Sequence, residues 1–428
     1  MSESFSKKVS IFSIIFLFTI SVFSYGLIVG NFQIWPYKPI KSMYSAALSI
    51  IRFGELVPVN RLIKAPEHVS RERFVIYSDD KVQSGYYAYM GYDGPKQKYM
   101  AWLMDAKGNK LHEWDLTYEY LDKNGPLNGS DSPHAFKVLK DGSLVVSFDS
   151  GDVLARIDQC SKPIWTKEGV YHHSLSIDDN GNLWAWRGEN TAYAYYNYLE
   201  NINSITGDTI SEIGLIEDLL QSPDSSGNIY GVRADYNFQH FDETPKNKEE
   251  HDLFHPNDLD VLSSDIADKF KDFNAGDLLL SFRNNHLVAV VDPKTKKLKW
   301  WSTGPWKFQH DPDFTSDGKI SVYSNNTDYG RSEIIKIDPV SKNVENELEK
   351  GDLFFYSKTQ GKHQYLPNGN LLIIMPDEGR AVQVTSEGNK VFEYNNVSAI
   401  SKQYNEHLAN GIWFSDDYFN SVPDCPTK

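Results

Sequence analysis

An all-β ring of about six four-stranded units behind one membrane-crossing helix is the architecture that three observations predict. A strand phrase carrying a histidine recurs along the chain, a second hairpin often ending in tryptophan follows it, and the chain opens with one uncharged apolar run. Such units cannot bury their hydrophobic faces alone and must stack on neighbours, so the ring is read as a six-bladed β-propeller. Aromatic residues are 14% of the chain and glycines mark its turns, whereas long helical periodicity is scarce after residue 50, as an all-β chain requires.

At the amino end, Lys7 and Lys8 precede Val9 to Gly30, which carries no charge and is long enough to cross a bilayer as a helix. The basic pair would stay cytoplasmic and send the rest of the chain outward. A cleavable signal peptide competes, since Ser21 and Ser24 are small. The long core and the lack of an Ala-x-Ala favour a retained anchor over residues 1–32, followed by a linker at 33–70 and a single propeller domain at 71–428.

The repeat aligns on its turn glycine. His134, His173 and His310 each stand eight residues before the glycine of Asp141-Gly142, Asn180-Gly181 or Asp317-Gly318, and an apolar strand follows. Asp-Gly and Asn-Gly between apolar runs signal tight hairpins. His363 stands only six residues before Gly369, two positions further along, a spacing that keeps it on the same strand face. A fifth copy starts at His255 and is interrupted by Leu262 to Ala275, which is expected to shift Arg283 or cap the pocket. Second hairpins run from Met100 to Trp114, Leu154 to Trp165, Leu287 to Trp301, Ile334 onward and Ala381 to Tyr394, which places blades near residues 71–120, 130–168, 170–233, 254–303, 308–348 and 361–395. Ile210 to Leu220 suits a short helix or an edge segment.

A net charge of −15 argues against a nucleic-acid partner, and it requires that any anionic substrate be caught by a local positive cluster. Cys160 and Cys425 are free to pair and tie the tail to an early blade, though spacing alone does not show that they meet. There is no Cys-x-x-Cys or His-Glu-x-x-His, and no carboxylate run spaced for calcium, so no metal site is expected.

The repeat can assemble a positive cluster. Arg283 follows the strand after His255-Pro256-Asn257, while His173 and His310 enter from neighbouring blades. A guanidinium fork fits the oxygens of sulfate or phosphate, and a neutral imidazole is a nucleophile. The chemistry implied is transfer of a charged oxyanion group through a histidine.

The order His255-x-Asn257, Ser281-x-Arg283, Asp292 with Trp300, then Gln309-His310 resembles the bacterial arylsulfate sulfotransferases, six-bladed propellers of the periplasm; the likeness spans roughly residues 85–395 and includes Leu103 to Trp114. The resemblance implies PAPS-independent transfer from a small aryl sulfate to a phenol without metal or organic cofactor. It makes His310 the nucleophile that carries the sulfuryl group, with Arg283, His255 and Asn257 on the sulfate oxygens. It also gives His173 acid–base work, with His172 as the neighbouring pocket residue, and implies a periplasmic body held at the inner membrane by its helix. A homo-oligomer is left open. The chain departs from the family pattern at Ser174, where an Asp is usual, and at Ser324-Asn325-Asn326, where an Asp-Asn pair is typical. His134, His363 and His407 are read as structural, as are Trp184, Trp186, Trp300, Trp301, Trp306 and the run Tyr193 to Tyr198. An inactive membrane-anchored binding scaffold and a quinoprotein- or lactonase-type propeller are the competing function classes.

Overall fold

The uncharged amino-terminal run folds as one helix, Glu3–Phe32, in the computed structural model, which describes residues 3–32, 35–37, 39, 40, 43, 61–122, 132–148, 153–188, 197–220, 254–326, 329–348, 351 and 353–425. Its stretch Ile11–Val29 has a mean hydropathy of 2.3, long and apolar enough for a membrane anchor or a signal sequence. Thr19 Oγ1 and Ser21 Oγ each donate to the carbonyl four residues back, at 2.9 Å, so neither hydroxyl needs water. Most of the expected linker at 33–70, part of Tyr193 to Tyr198 and the end of the expected third blade beyond residue 220 lie outside the described residues.

The helix belongs to the first of two compact units, Met1–Leu62; the second, Ile63–Lys428, holds the β structure. Six of its sheets hold four strands or more, each an antiparallel meander. Blade 2 is Pro133–Val138, Leu144–Phe148, Val153–Ile157 and Pro163–Glu168. Blade 3 is Val170–Ile177, Leu183–Gly188, Asn197–Ile202 and Thr209–Gly214. Blade 4 is Pro256–Val261, Leu278–Phe282, Leu287–Asp292 and Lys297–Thr303. Blade 5 is His310–Phe314, Ile320–Ser324, Glu333–Ile337 and Val344–Asn346. Ile210 to Leu220 is both things expected of it, an edge strand to Gly214 and then a helical turn, Leu215–Leu220.

The remaining two blades close the ring and correct the expected boundaries. Phe74–Ile76 pairs with Lys390–Asn395, so it is the outer strand of blade 6 rather than the start of blade 1. The inner strand of blade 1 is Leu408–Phe414 from the carboxyl end, beside Tyr86–Asp93, Lys98–Asp105 and Lys110–Asp115. Blade 6 is completed by Lys362–Tyr365, Leu371–Met375 and Arg380–Val384. Each chain end thus completes a blade begun elsewhere, and unzipping either costs a ladder of backbone hydrogen bonds. Sequence periodicity could not reveal this, because the two strands that pair lie over 300 residues apart. Cys160 and Cys425 form a disulfide that ties the tail beyond the closing strand to blade 2.

The core lies in the seams. Leu154 and Val145 of blade 2 pack on Tyr171 and Leu183 of blade 3, Trp186 and Leu199 pack on Leu280 and Phe282, and Tyr89 and Trp102 pack on Phe392 and Tyr394. Trp184, Trp186, Trp300 and Trp306 are buried packing residues, whereas Trp301 is 42% exposed. The insertion Leu262 to Ala275 packs on blade 5. It closes on itself through Gly276 N to Leu262 O at 2.8 Å, and Phe270 and Phe273 pack on Phe314 at the turn end of the blade, away from the strand starts.

Candidate functional site

The inner strands of blades 2 to 6 run from one end of the ring toward a turn glycine, so residues at the strand starts meet around one end of the axis. A β-bulge lies at that start in five inner strands, at Pro133/Ala135, His172/Leu175, Pro256/Asp258, His310/Asp313 and Leu408/Asn410. Bulges re-aim side chains out of the strand alternation. Here they do so with backbone in the left-handed region: φ is +62° at His173, +47° at His255 and +52° at Asp311, conformations a non-glycine residue adopts at a cost. Blade 6 has a regular inner strand. Its residue eight before the turn glycine is Gly361, where φ is +113° and a Cβ would come within 2.5 Å of the Tyr323 ring, so no histidine fits there.

His134, His173, Asn257, His310, Gln360, Gly361 and Lys362 line the axial pocket, which is about 10 Å³ in volume. His310 is buried, and its Nδ1 lies 2.7 Å from Asn325 Oδ1 while its Nε2 accepts from Gln360 N at 3.2 Å. Burial, then the Arg283 guanidinium, hold its pKa well below the usual imidazole range against the opposing Asn325 hydrogen bond. His310 is therefore a neutral base at neutral pH. Arg283 sits in the turn after Leu278–Phe282, its backbone N donating to His255 O at 3.0 Å and its guanidinium 4.9 Å from the Phe308 ring centroid. Nη1 donates to Asn284 Oδ1 at 3.2 Å.

The other expected histidines form a chain. Asn197 Oδ1 lies 2.8 Å from His172 Nε2, His172 Nδ1 2.6 Å from His173 Nδ1, and His173 Nε2 3.2 Å from His255 Nε2. Burial first, then the surrounding imidazoles, push the His173 pKa well down. With Asn197 accepting and the rings neutral, each ring has one proton to donate, and the chain can pass a proton in one direction.

Asn257 lines the pocket but spends its Nδ2 on Gln309 O at 2.7 Å, and its buried Oδ1 has no partner among the described residues. One expectation changes here. His134, read as structural, is in the pocket with its ring centroid 4.4 Å from that of His173; its offset from Gly142 was the signal. His363 does not join the pocket.

His363 lies instead in a second chamber further along the axis, about 360 Å³ in volume and lined by Ser174, Asp258, Asp260, Asp311, Asp313 and Lys362 among others. Alternating strand positions from two blades bring these acids together, a cluster that linear spacing conceals. Lys362 Nζ bridges Asp258 at 2.8 Å and Asp311 at 2.7 Å. Burial lowers the Lys362 pKa, but these carboxylates outweigh it and raise it. Burial, followed by the neighbouring acids, raises Asp313, and burial raises Asp260 to about 6. Asp311, Asp313 and His363 bring ligand atoms within 4.8 Å of one another, but Asp311 is already bound by Lys362 and by His363 Nδ1 at 2.9 Å.

Fold and site define a six-bladed propeller with a histidine-lined axial pocket. Residues 135–397 match the arylsulfotransferase (ASST) family, and the chain belongs to that family. Membership and fold together support an arylsulfotransferase-like function. No curated protein matches the chain. Among solved structures, a protein of unknown function from Bacteroides caccae is 13% identical, with a TM-score of 0.46 over 73% of this chain and 94% of that one. A functionally unknown protein from Desulfotomaculum acetoxidans is 13% identical, with a TM-score of 0.43 over 76% and 98%. Virginiamycin B lyase from Staphylococcus aureus is 13% identical, with a TM-score of 0.35 over 63% and 72%.

Proposed function

We propose that the chain transfers a sulfuryl group from an aryl sulfate to a phenol through a sulfohistidine at His310, without PAPS, in the periplasm and anchored by its amino-terminal helix. The observation that carries this reading is the His310 imidazole, kept neutral by burial and by the charge of Arg283, in one pocket with His134, His173 and Asn257. Nε2 attacks sulfur as the bond from sulfur to the aryl oxygen breaks. The leaving oxygen keeps the electron pair and departs as a phenolate, which the N–H groups of the His172, His173 and His255 chain stabilise. In the second half the neutral His173 chain takes the proton of the phenol while the phenol oxygen attacks sulfur, and the S–N bond breaks with its electron pair returning to His310 Nε2. Arg283, His255 and the second N–H of the Asn257 amide serve the sulfuryl oxygens, where preorganised donors are worth most in a dry site. The Gln360 N–H that Nε2 accepts must give way to a tetrahedral anion, since the pocket has room for about one water.

The test is incubation of the protein with 4-nitrophenyl sulfate and a phenol. Nitrophenolate release, ping-pong kinetics and an acid-labile gain of one sulfuryl mass are expected. Release unchanged in His310→Ala would remove the nucleophile, and no release with any donor would leave an anchored scaffold.

A further inference from the structure

We infer that Asn325 is a positioning residue that decides which ring nitrogen of His310 is bare. This rests on His310 as the nucleophile. Asn325 follows the strand Ile320–Ser324 and is fully buried. Its Nδ2 donates to Ser357 O at 2.9 Å and to Gln360 O at 2.7 Å. Both partners are backbone carbonyls, which only accept. Turning the amide over would set Oδ1 against two carbonyl oxygens in a site without solvent, so the amide has one tenable orientation.

Oδ1 therefore faces His310 Nδ1, at 2.7 Å. An oxygen that can only accept requires a proton on Nδ1. A neutral ring with its proton on Nδ1 keeps its lone pair on Nε2, the nitrogen that reaches Gln360 N at 3.2 Å on the pocket side. The Ser357–Gln360 backbone thus both aligns Asn325 and covers the nitrogen that Asn325 exposes. A neutral carboxamide also stabilises an imidazolium less than a carboxylate would, which keeps the nucleophile unprotonated. The triplet Ser324-Asn325-Asn326, a departure from the usual family pair, acquires a role through this geometry.

Imidazole-nitrogen NMR on isotope-labelled histidine, with the His310 signals assigned by their loss in His310→Ala, reads the tautomer directly. The expected result is a protonated Nδ1 and a bare Nε2 in the wild type, and a mixed or reversed tautomer in Asn325→Leu. Donor kcat/KM in Asn325→Leu should fall on the order of 10²- to 10⁴-fold, the scale of a lost tautomer-fixing partner. In Asn325→Asp the acceptor remains but the carboxylate favours the imidazolium, so the acid limb of the pH profile should move up by about one unit or more. Ser332→Ala is the packing control: its Oγ bonds Asn325 O and Ser357 O, both at 3.2 Å, without touching the ring, and it should leave tautomer and acid limb unchanged. A proton on Nε2 in the wild type overturns the inference, as does an acid limb that stays put in a folded Asn325→Asp protein. The wild-type tautomer is decisive even if Asn325→Leu does not fold. Absence of any sulfuryl transfer in the wild type would overturn the proposed activity while the tautomer reading still stood or fell by itself.

Discussion

The two axial chambers are built from the same strands, yet they do opposite things with charge. In the histidine pocket, His173 and His310 are held neutral by burial and by neighbouring positive groups. In the carboxylate chamber beyond it, a cation is kept and paired while burial raises the pKa of Asp313 and Asp260: Lys362 joins Asp258 to Asp311, and His363 spends Nδ1 on Asp311 and Nε2 on Ser321 Oγ at 2.8 Å. His310 and His363 sit in nearly the same repeat phrase, but one ring offers a nitrogen to the pocket and the other is fully engaged in packing. A bulge in blade 5 and its absence in blade 6 separate them. Residue type does not make a reactive imidazole; an available lone pair does.

This contrast can be broken by exchanging losses. His310→Ala should lower nitrophenolate release at least about 10³-fold because it removes the attacking atom, and should cost about 1–3 kcal/mol in unfolding because Asn325 Oδ1 and Gln360 N lose a buried partner. Lys362→Met strands Asp258 and Asp311 against each other in a buried site, and denaturant unfolding should record a loss of about 3–5 kcal/mol. His363→Leu leaves Asp311 short of one partner and should cost about 1–3 kcal/mol, while donor cleavage stays within several-fold of wild type. If it instead behaved like His310→Ala, the division of labour between the chambers would be wrong. The pH profile sharpens the contrast with the smallest effect. A depressed imidazole pKa means the nucleophile is lost only on acidification well below an ordinary histidine's ~6.5, so kcat/KM should be flat through that value and fall at lower pH. An acid limb centred there would place His310 in an ordinary solvated environment.

Much of this was legible in the chain. The eight-residue offset from histidine to turn glycine marked His134, His173 and His310 as equivalents, and all three line one pocket. The same offset applied to blade 6 selects Gly361 rather than His363, which explains why His363 lies in the other chamber. Asn325 was not legible, because its importance depends on two carbonyls more than 30 residues ahead. Nor was the carboxylate cluster, since Asp258 and Asp311 meet only across a seam through Lys362, 104 residues beyond the first.

The sequence alone determined the periodic content: strand phrases, turn glycines, the apolar helix and, in three blades, the histidine eight residues before the turn glycine. These are local, because hairpin geometry and side-chain alternation act over a few residues. Tertiary structure alone decided how the ring closes, which imidazole nitrogen is bare and which acids share a lysine. Each of those depends on partners brought together by blade stacking, and only burial beside those partners gives a side chain its protonation state.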